Sequence, residues 1–489
     1  MTGASNRCMG WSILTLVSVE CALGCGCMGR ALSPDRVFAE ARAGLPERFE
    51  RQPESARAPQ QGIELPAQLG NWPKAYGDER LDGLITAALG ANHDLAVAQA
   101  RLREARAGAA EAASVLWPTI DVSGFRARAK QLRNTPVPNQ VTDSAGIDLQ
   151  ASWEADVFGG NTHRRRAAQL DAQAAQANVW GVTTALVAEV TAAYLELAGT
   201  DERLEVLDRN IAVQAEGARL AEGAFKAGLT IELTVQRASA RLATTRALRP
   251  PLEQARAAEV HRLGVLTGTT PEQLAVQYAN PLTLPSALPA DPRLAPSDLL
   301  ARRPDVRGAR FQLLAAADRA RAARTDLLPK FFISGSEGKE TLTVLHHPTL
   351  TDPVYFIGAS VFLPIFNAGR IRAQIAAADA RLDAAAAIYQ KALLQALEDV
   401  ENAYAGVTAA SVARVRFAEA AEASKAAEMQ ARIGFALGRV DYGTLLDVQR
   451  ERLVAEEGEV QARSAAAVAY TSLFRAFGGG WDSAAPPQR

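Results

Sequence analysis

Beyond position 27 the 489-residue chain has no cysteine; all four, Cys8, Cys21, Cys25 and Cys27, lie within the first 27 residues. A body without thiols holds neither an internal disulfide framework nor a thiolate metal site. Charge of one sign is also missing. Lys and Arg number 53 against 54 Asp and Glu, a formal net charge of -1. Nucleic acid would need a concentrated basic face, so it is not an expected partner. Aromatics are only 6%, and Ala, Arg, Leu, Glu and Gln dominate, a mixture that favours helices over a sheet sandwich. Past the N-terminus no apolar run approaches the roughly 18 residues of a spanning helix. Any membrane passage is therefore expected to use strands. His93, His163, His261, His346 and His347 are scattered, and no Gly-rich phosphate loop, HExxH or CxxC pair serves the mature chain. The expectation is no enzyme, no cofactor and no metal site.

What is present begins with processing. Trp11–Leu23 is a short apolar run after Arg7, and Gly24 precedes Cys25. This reads as a signal peptide over residues 1–24 ending in a lipoprotein-type site, with Cys25 as the lipid-bearing new N-terminus. Glu20 interrupts the run and Cys27 is a rival lipidation position; an ordinary cleaved signal is the alternative. Residues 25–80 carry Pro34, Pro46, Pro53, Pro59, Pro66 and Pro73 and read as an extended lipid-anchored segment on the surface.

The rest is written twice. Asp94-Leu95 through Trp117-Pro118 to Ser123-Gly124 recurs as Asp305-Val306 through Leu328-Pro329 to Ser334-Gly335, a shift of 211 residues. Ala193-Tyr194 recurs as Ala403-Tyr404, Phe225 to Gly228 as Phe435 to Gly438, and Leu263 to Gly268 as Leu473 to Gly478, each shifted by 210. The copies are residues 81–270 and 301–477, joined by a Pro-rich crossover at 271–300 and followed by a tail at 478–489. Each copy predicts a helix up to Pro118 or Pro329, a β-hairpin (118–157 or 329–366) and a long proline-free stretch. In segments 162–222 and 369–432 apolar residues keep three- and four-residue spacing, as in Ile371, Ile375, Leu382, Ile388 and Leu393. A helix of sixty residues runs to about 90 Å and must pack along its length in coiled-coil fashion.

Residues 147–157 alternate. Ile147, Leu149, Ala151, Trp153, Ala155 and Val157 share one side, and Asp148, Gln150, Ser152, Glu154 and Asp156 the other. That is the apolar-out, polar-in pattern of a membrane barrel strand, although a soluble edge strand alternates too. Tyr355, Ile357, Ala359, Val361, Leu363 and Ile365 repeat the apolar side. Stretches 119–129 and 330–337 supply the other arms, leaving 131–146 and 338–353 as hairpin loops. In this reading Arg126, Arg128 and Lys130 offset the acidic side of the neighbouring arm. Four strands cannot close a barrel, and an open edge in lipid leaves backbone groups unpaired. A chain that enters the membrane this way must oligomerise.

Four stretches carry a family resemblance: Ser152-Trp153-Glu154-Ala155-Asp156-Val157-Phe158-Gly159; Ser297-Asp298-Leu299-Leu300-Ala301-Arg302-Arg303-Pro304-Asp305-Val306; Pro364-Ile365-Phe366-Asn367-Ala368-Gly369-Arg370; and Phe477-Gly478-Gly479-Gly480-Trp481. The chain resembles the outer-membrane factor family of TolC, OprM and NodT-like efflux lipoproteins over residues 70–481. The resemblance implies an α+β membrane protein: long α-helices forming an α-barrel, and four β-strands per chain completing a twelve-stranded trimeric β-barrel. It implies a homotrimer in outer-membrane lipid, docked to a periplasmic adaptor and an inner-membrane pump of the resistance-nodulation-division type. The implied role is an exit duct for small molecules; alternatives are a type I secretion duct for polypeptides and a periplasmic coiled-coil scaffold. The resemblance also places Gly228 and Leu229, and Gly438, Arg439 and Asp441, at adaptor-contacting helical tips, and Asp447 and Thr444 at the pore constriction. The run His163-Arg164-Arg165-Arg166 opens a helix, where cations oppose the dipole, and is expected to face headgroups or solvent.

Overall fold

The computed structural model describes residues 32–52, 72–130, 141–290, 295–344 and 349–479. The signal, Cys25, Cys27, His346, His347 and Trp481 lie outside the described residues. The chain forms two compact units, one from Ala112–Ala167 and Leu313–Ala387 with the segment ending at Ala43, the other from Gly44–Glu111, Ala168–Gln312 and the chain from Ile388 onward.

Helix α1 spans Pro34–Ala43, and a short 3-10 turn covers Trp72–Tyr76. In the first repeat α2 (Glu79–Ala91) and α3 (His93–Ser114) lead into β1 (Thr119–Lys130) and β2 (Val141–Ala155). There follow α4 (Gly160–Lys226), α5 (Glu232–Arg246) and α6 (Arg249–Thr267). The crossover is not wholly extended: α7 (Pro271–Gln277) and α8 (Pro296–Arg302) sit at its two ends, each opened by a proline whose missing N–H costs nothing there. The second repeat is α9 (Pro304–Thr325), β3 (Lys330–Val344), β4 (Leu350–Phe362), α10 (Arg370–Ala436) and α11 (Tyr442–Ala476). Helices α4 and α10 both have 67 residues, about 100 Å each at 1.5 Å per residue. The returning helix is one piece in the second copy but two in the first. Pro250 and Pro251 explain this, because neither can donate the backbone bond a continuous helix requires.

One sequence expectation needs correction here. Helix α4 does contain an 18-residue stretch apolar enough to cross a bilayer, but 61% of it is buried inside the chain. It is a core helix: Val190, Ala193, Tyr194, Leu195, Leu197 and Ala198 are almost wholly enclosed. Tyr194 and its repeat equivalent Tyr404 are both buried, Tyr404 beside Phe49 and Phe477 with ring centroids at 6.0 and 5.9 Å.

The duplication extends to single contacts. Asn92 donates from Nδ2 to the carbonyl of Leu266 at 3.0 Å, and Arg303 donates to the carbonyl of Ala476 at 3.0 Å. The donors are related by the 211-residue shift and the acceptors by the 210-residue shift. Just past each acceptor, Gly268 and Gly478 take φ of 64° and 73°. A Cβ on Gly268 would come within 2.5 Å of the Ala91 carbonyl oxygen, and one on Gly478 within 3.4 Å of that of Arg302. Only glycine meets both demands comfortably. Arg303 also pairs with Asp305 and Asp399, each at 2.7 Å. The second repeat thus turns one neutral hydrogen bond into an ionic hub.

Candidate functional site

All four strands join one antiparallel sheet in the order β1-β2-β3-β4, and β2 pairs with β3 across the two repeats. Among the described residues both outer strands, β1 and β4, leave an edge without a partner. The strands run further than the alternation predicted. Residues 141–146, 338–344 and 350–353, expected as loops, belong to the ladder. Gly, Ser, Thr and Asp are frequent there and mask the strand signal, while pairing along β2 and β3 supplies the backbone bonds.

The register sorts the side chains. One face carries Ile120 and Val122 on β1, Ile147, Leu149, Ala151 and Trp153 on β2, Phe331 and Ile333 on β3, and Tyr355, Ile357 and Val361 on β4. Ile120, Val122, Ile147, Tyr355, Ile357 and Val361 are 61–84% exposed, a broad apolar surface that water does not favour. The opposite face carries Asp121, Asp148, Glu154, Glu340 and Asp352, with Lys330 as its basic residue among the described strands. Asp148 accepts hydrogen bonds from Ser123 at 2.9 Å and Gln150 at 2.6 Å, which keeps it on that face.

The sequence reading of Arg126, Arg128 and Lys130 is overturned. They stand opposite Ala145, Asp143 and Val141, on the apolar side of the sheet, and so do not offset the acidic face. Alternation along one strand cannot reveal this, because the antiparallel register decides which positions of the neighbour share a face. The run at 163–166 is corrected in part: Arg166 is exposed as expected, but His163 and Arg164 are taken up within the chain. His163 Nδ1 lies 2.8 Å from Asp318, and Arg164 pairs with Asp326 at 2.8 Å and Asn161 at 2.8 Å. The helix they open is started instead by Asp156, which accepts the backbone N–H groups of Asn161 and Thr162 at 3.0 and 2.7 Å.

The two helical reversals are near copies. Leu229 N–H donates to the Ala224 carbonyl at 2.8 Å and Gly228 N–H to that of Phe225 at 2.9 Å; Arg439 to Gly434 (2.8 Å) and Gly438 to Phe435 (3.0 Å) repeat the pattern. These are Schellman caps, and they need the positive φ of 70° at Gly228 and 68° at Gly438. Leu229 is 81% exposed and Leu437 60%. The copies differ after the glycine. In the second, Asp441 accepts the Thr444 amide at 3.1 Å and its hydroxyl at 2.6 Å, capping α11; in the first, Ile231 has no side-chain cap. Hydrogen bonds from the Thr444 hydroxyl and amide hold the Asp441 carboxyl below the usual range.

Thr444 is therefore engaged by Asp441, and Asp447, one turn further on, is exposed. Burial pushes the Arg241 guanidinium of α5 down and Arg450 adds to this, while the Asp447 charge opposes both. Sequence reasoning missed Arg241 because nothing but folding brings α5 to α11. It also missed a network behind the second tip, in which buried Glu428 meets Arg452 and Arg432, and Arg452 reaches Glu456 at 2.8 Å. Tyr442 stacks obliquely on Phe435 at 5.5 Å, tying α11 to the end of α10.

Among the described residues no group of His, Cys, Asp and Glu is arranged to hold a metal ion. An open-edged sheet with one lipid-compatible face, in a chain dominated by very long helices, is the build of an outer-membrane channel. The outer membrane efflux protein family matches residues 84–269 and again 295–479, once for each repeat. The chain belongs to this family. It is 31% identical over 424 residues to the pyoverdine export outer membrane protein OpmQ of Pseudomonas aeruginosa, covering 85% of this chain and 89% of that one. It is 27% identical over 415 residues to the solvent efflux pump outer membrane protein SrpC of Pseudomonas putida, covering 84% and 88%. The structure of the outer-membrane channel OprN superposes with a TM-score of 0.79 at 31% identity, covering 89% of this chain and 99% of that one. VceC of Vibrio cholerae shares the fold, with a TM-score of 0.77 at 24% identity over 84% and 99% of the two chains. The protein is thus an efflux channel of the outer membrane.

Proposed function

We propose that three copies close a twelve-stranded barrel and serve as the exit duct of a tripartite, resistance-nodulation-division-type export system, passing small molecules outward without chemistry on the cargo. The observation that carries this is the four-stranded sheet, apolar on one face and open at both edges. In lipid every edge N–H and C=O must be paired, so closure by further copies is required. The relatives named for pyoverdine and solvent export support a small-molecule cargo. A periplasmic adaptor would meet the exposed tips at Gly228, Leu229, Gly438, Arg439 and Asp441, and an inner-membrane pump would supply the cargo. Cys25 would carry the lipid.

Asp447 would line the constriction. Arg241 gives it a cationic neighbour within the chain, which eases the repulsion that three converging carboxylates would otherwise suffer. Thr444, already held by Asp441, would set the position of that helix turn. Planar-bilayer recording of Asp447→Ala is expected to show higher resting conductance and weaker block by divalent cations; unchanged conductance removes the constriction assignment. For the duct itself, outer-membrane fractionation with crosslinking and unheated gels is expected to give a trimer, with palmitate label lost in Cys25→Ala. A soluble monomer would end the proposal.

A further inference from the structure

The outward, apolar face of the sheet changes character near the hairpin ends of the strands. Up to the level of Val122, Leu149 and Tyr355 it is mostly apolar, with Glu337 on β3 the exception. One step on, Lys339 stands opposite Ile147. Beyond that come Arg126, Thr341 and Thr351, and then Arg128, Asp143 and Thr343. Lys130 ends the row on β1. Thr341 on β3 bonds Thr351 on β4, and Thr343 bonds Thr349 just before β4, both at 3.0 Å. A polar girdle therefore crosses the sheet directly above the apolar band, on the surface that the membrane covers.

The girdle is cationic. Among the described strands this face carries Arg126, Arg128, Lys130 and Lys339 against Asp143 and Glu337, whereas the other face is acidic. Arg128 is 70% exposed and meets half-exposed Asp143 at 3.3 Å, an interaction too screened to consume its charge. Alternate residues on a strand stand about 7 Å apart, so Arg126, Arg128 and Lys130 form one line rising out of the apolar band. At the other end of the sheet no such line exists on this face. Phe331, Val361 and Trp153 face outward there, and Trp117 nearby is 73% exposed. The surface is thus built for a membrane whose two leaflets differ.

We propose that this girdle docks a phosphate-bearing glycolipid of the outer leaflet, lipopolysaccharide, with Arg126, Arg128 and Lys130 holding its phosphates while Ile120, Val122 and Ile147 pack against its acyl chains. Charge complementarity selects an anionic headgroup, and continuity with the apolar band places acyl chains directly beneath it. Arg provides a planar fork that holds phosphate in two hydrogen bonds, which a diffuse anionic surface does not need.

The proposal rests on the barrel reading above, and the test separates the two. The full-length oligomer is purified in detergent and its dissociation temperature is read on unheated gels. Lipopolysaccharide, its dephosphorylated form and phosphatidylglycerol are then added in turn. The expected result is a rise with lipopolysaccharide alone. Arg126→Ser with Arg128→Ser and Lys130→Ser should lose that rise, with binding on the order of a hundredfold weaker. Arg126→Lys with Arg128→Lys keeps the charge but not the two-bond fork and should retain only part of the rise, and Asp121→Ser, on the other face, should retain all of it. If the triple variant does not assemble, Arg126→Ser and Lys130→Ser are read singly by the same measure. An equal rise with phosphatidylglycerol or the dephosphorylated form, or a triple variant that still responds, overturns the docking assignment and leaves the barrel intact. Absence of any oligomer before lipid is added overturns both.

Discussion

At the tips, single residues decide the geometry of the reversal. Gly438 has open space where a Cβ would lie, so its constraint is φ alone. Gly438→Ala is expected to cost about 1–2 kcal/mol, read by urea unfolding. Asp441 works differently. Its carboxyl is held low by Thr444, so the cap is present above pH about 4 and is lost as pH falls further. Protection of the Thr444 amide, its exchange rate relative to the intrinsic rate at the same pH, should therefore fall in acid, and Asp441→Ala should show the low protection already at pH 7. The Asp-x-x-Thr spacing is a helix-cap signature in the sequence itself, although the family resemblance assigns the two residues other roles. Arg303 is a third case. Arg303→Ala should destabilise by about 2 kcal/mol, below the usual penalty for a broken buried pair because Asp305 and Asp399 are half-exposed. Arg303→Asn should do less harm, since Asn92 makes the equivalent contact in the first repeat.

Among the elements, the long helices were the most legible. Segments 162–222 and 369–432 became Gly160–Lys226 and Arg370–Ala436, because apolar spacing repeated over dozens of residues averages out local noise. The strands were legible by face but not by length. Six residues at the start of β2, Val141 to Gly146, look like loop and pair with β1 and β3 nonetheless. Register itself was invisible, and with it the side on which Arg126 and its neighbours lie. The face assignment makes a sharp contrast testable. Ile357→Arg, in the middle of the apolar face, should cost about 2–4 kcal/mol of membrane stability and deplete the outer-membrane oligomer. Phe356→Arg, one residue earlier on the other face, should leave the oligomer in place.

For the whole molecule, the electrical character of the duct follows from the inner face of the sheet. Asp121, Asp148, Glu154, Glu340 and Asp352 outweigh Lys330, itself drawn to Asp326 at 3.1 Å. Reversal potentials in a salt gradient should report preference for cations, and Asp121→Asn with Glu340→Gln should reduce it. An anion preference in the wild type would mean that the two faces have been assigned the wrong way round. Overall charge near zero gave no hint of this, because the opposite excesses of the two faces partly offset each other and the remainder is lost among the chain's other charges.

The bare edges of β1 and β4 carry a genetic consequence. A chain that folds well but cannot extend its ladder is worse than no chain, for it can still enter a ring and leave it unsealed. In a cell making equal amounts of normal protein and a variant crippled only at one edge, random assembly in threes would leave about one ring in eight free of the defect. Edge mutations in this protein should therefore behave as dominant, whereas mutations that prevent folding altogether should behave as recessive.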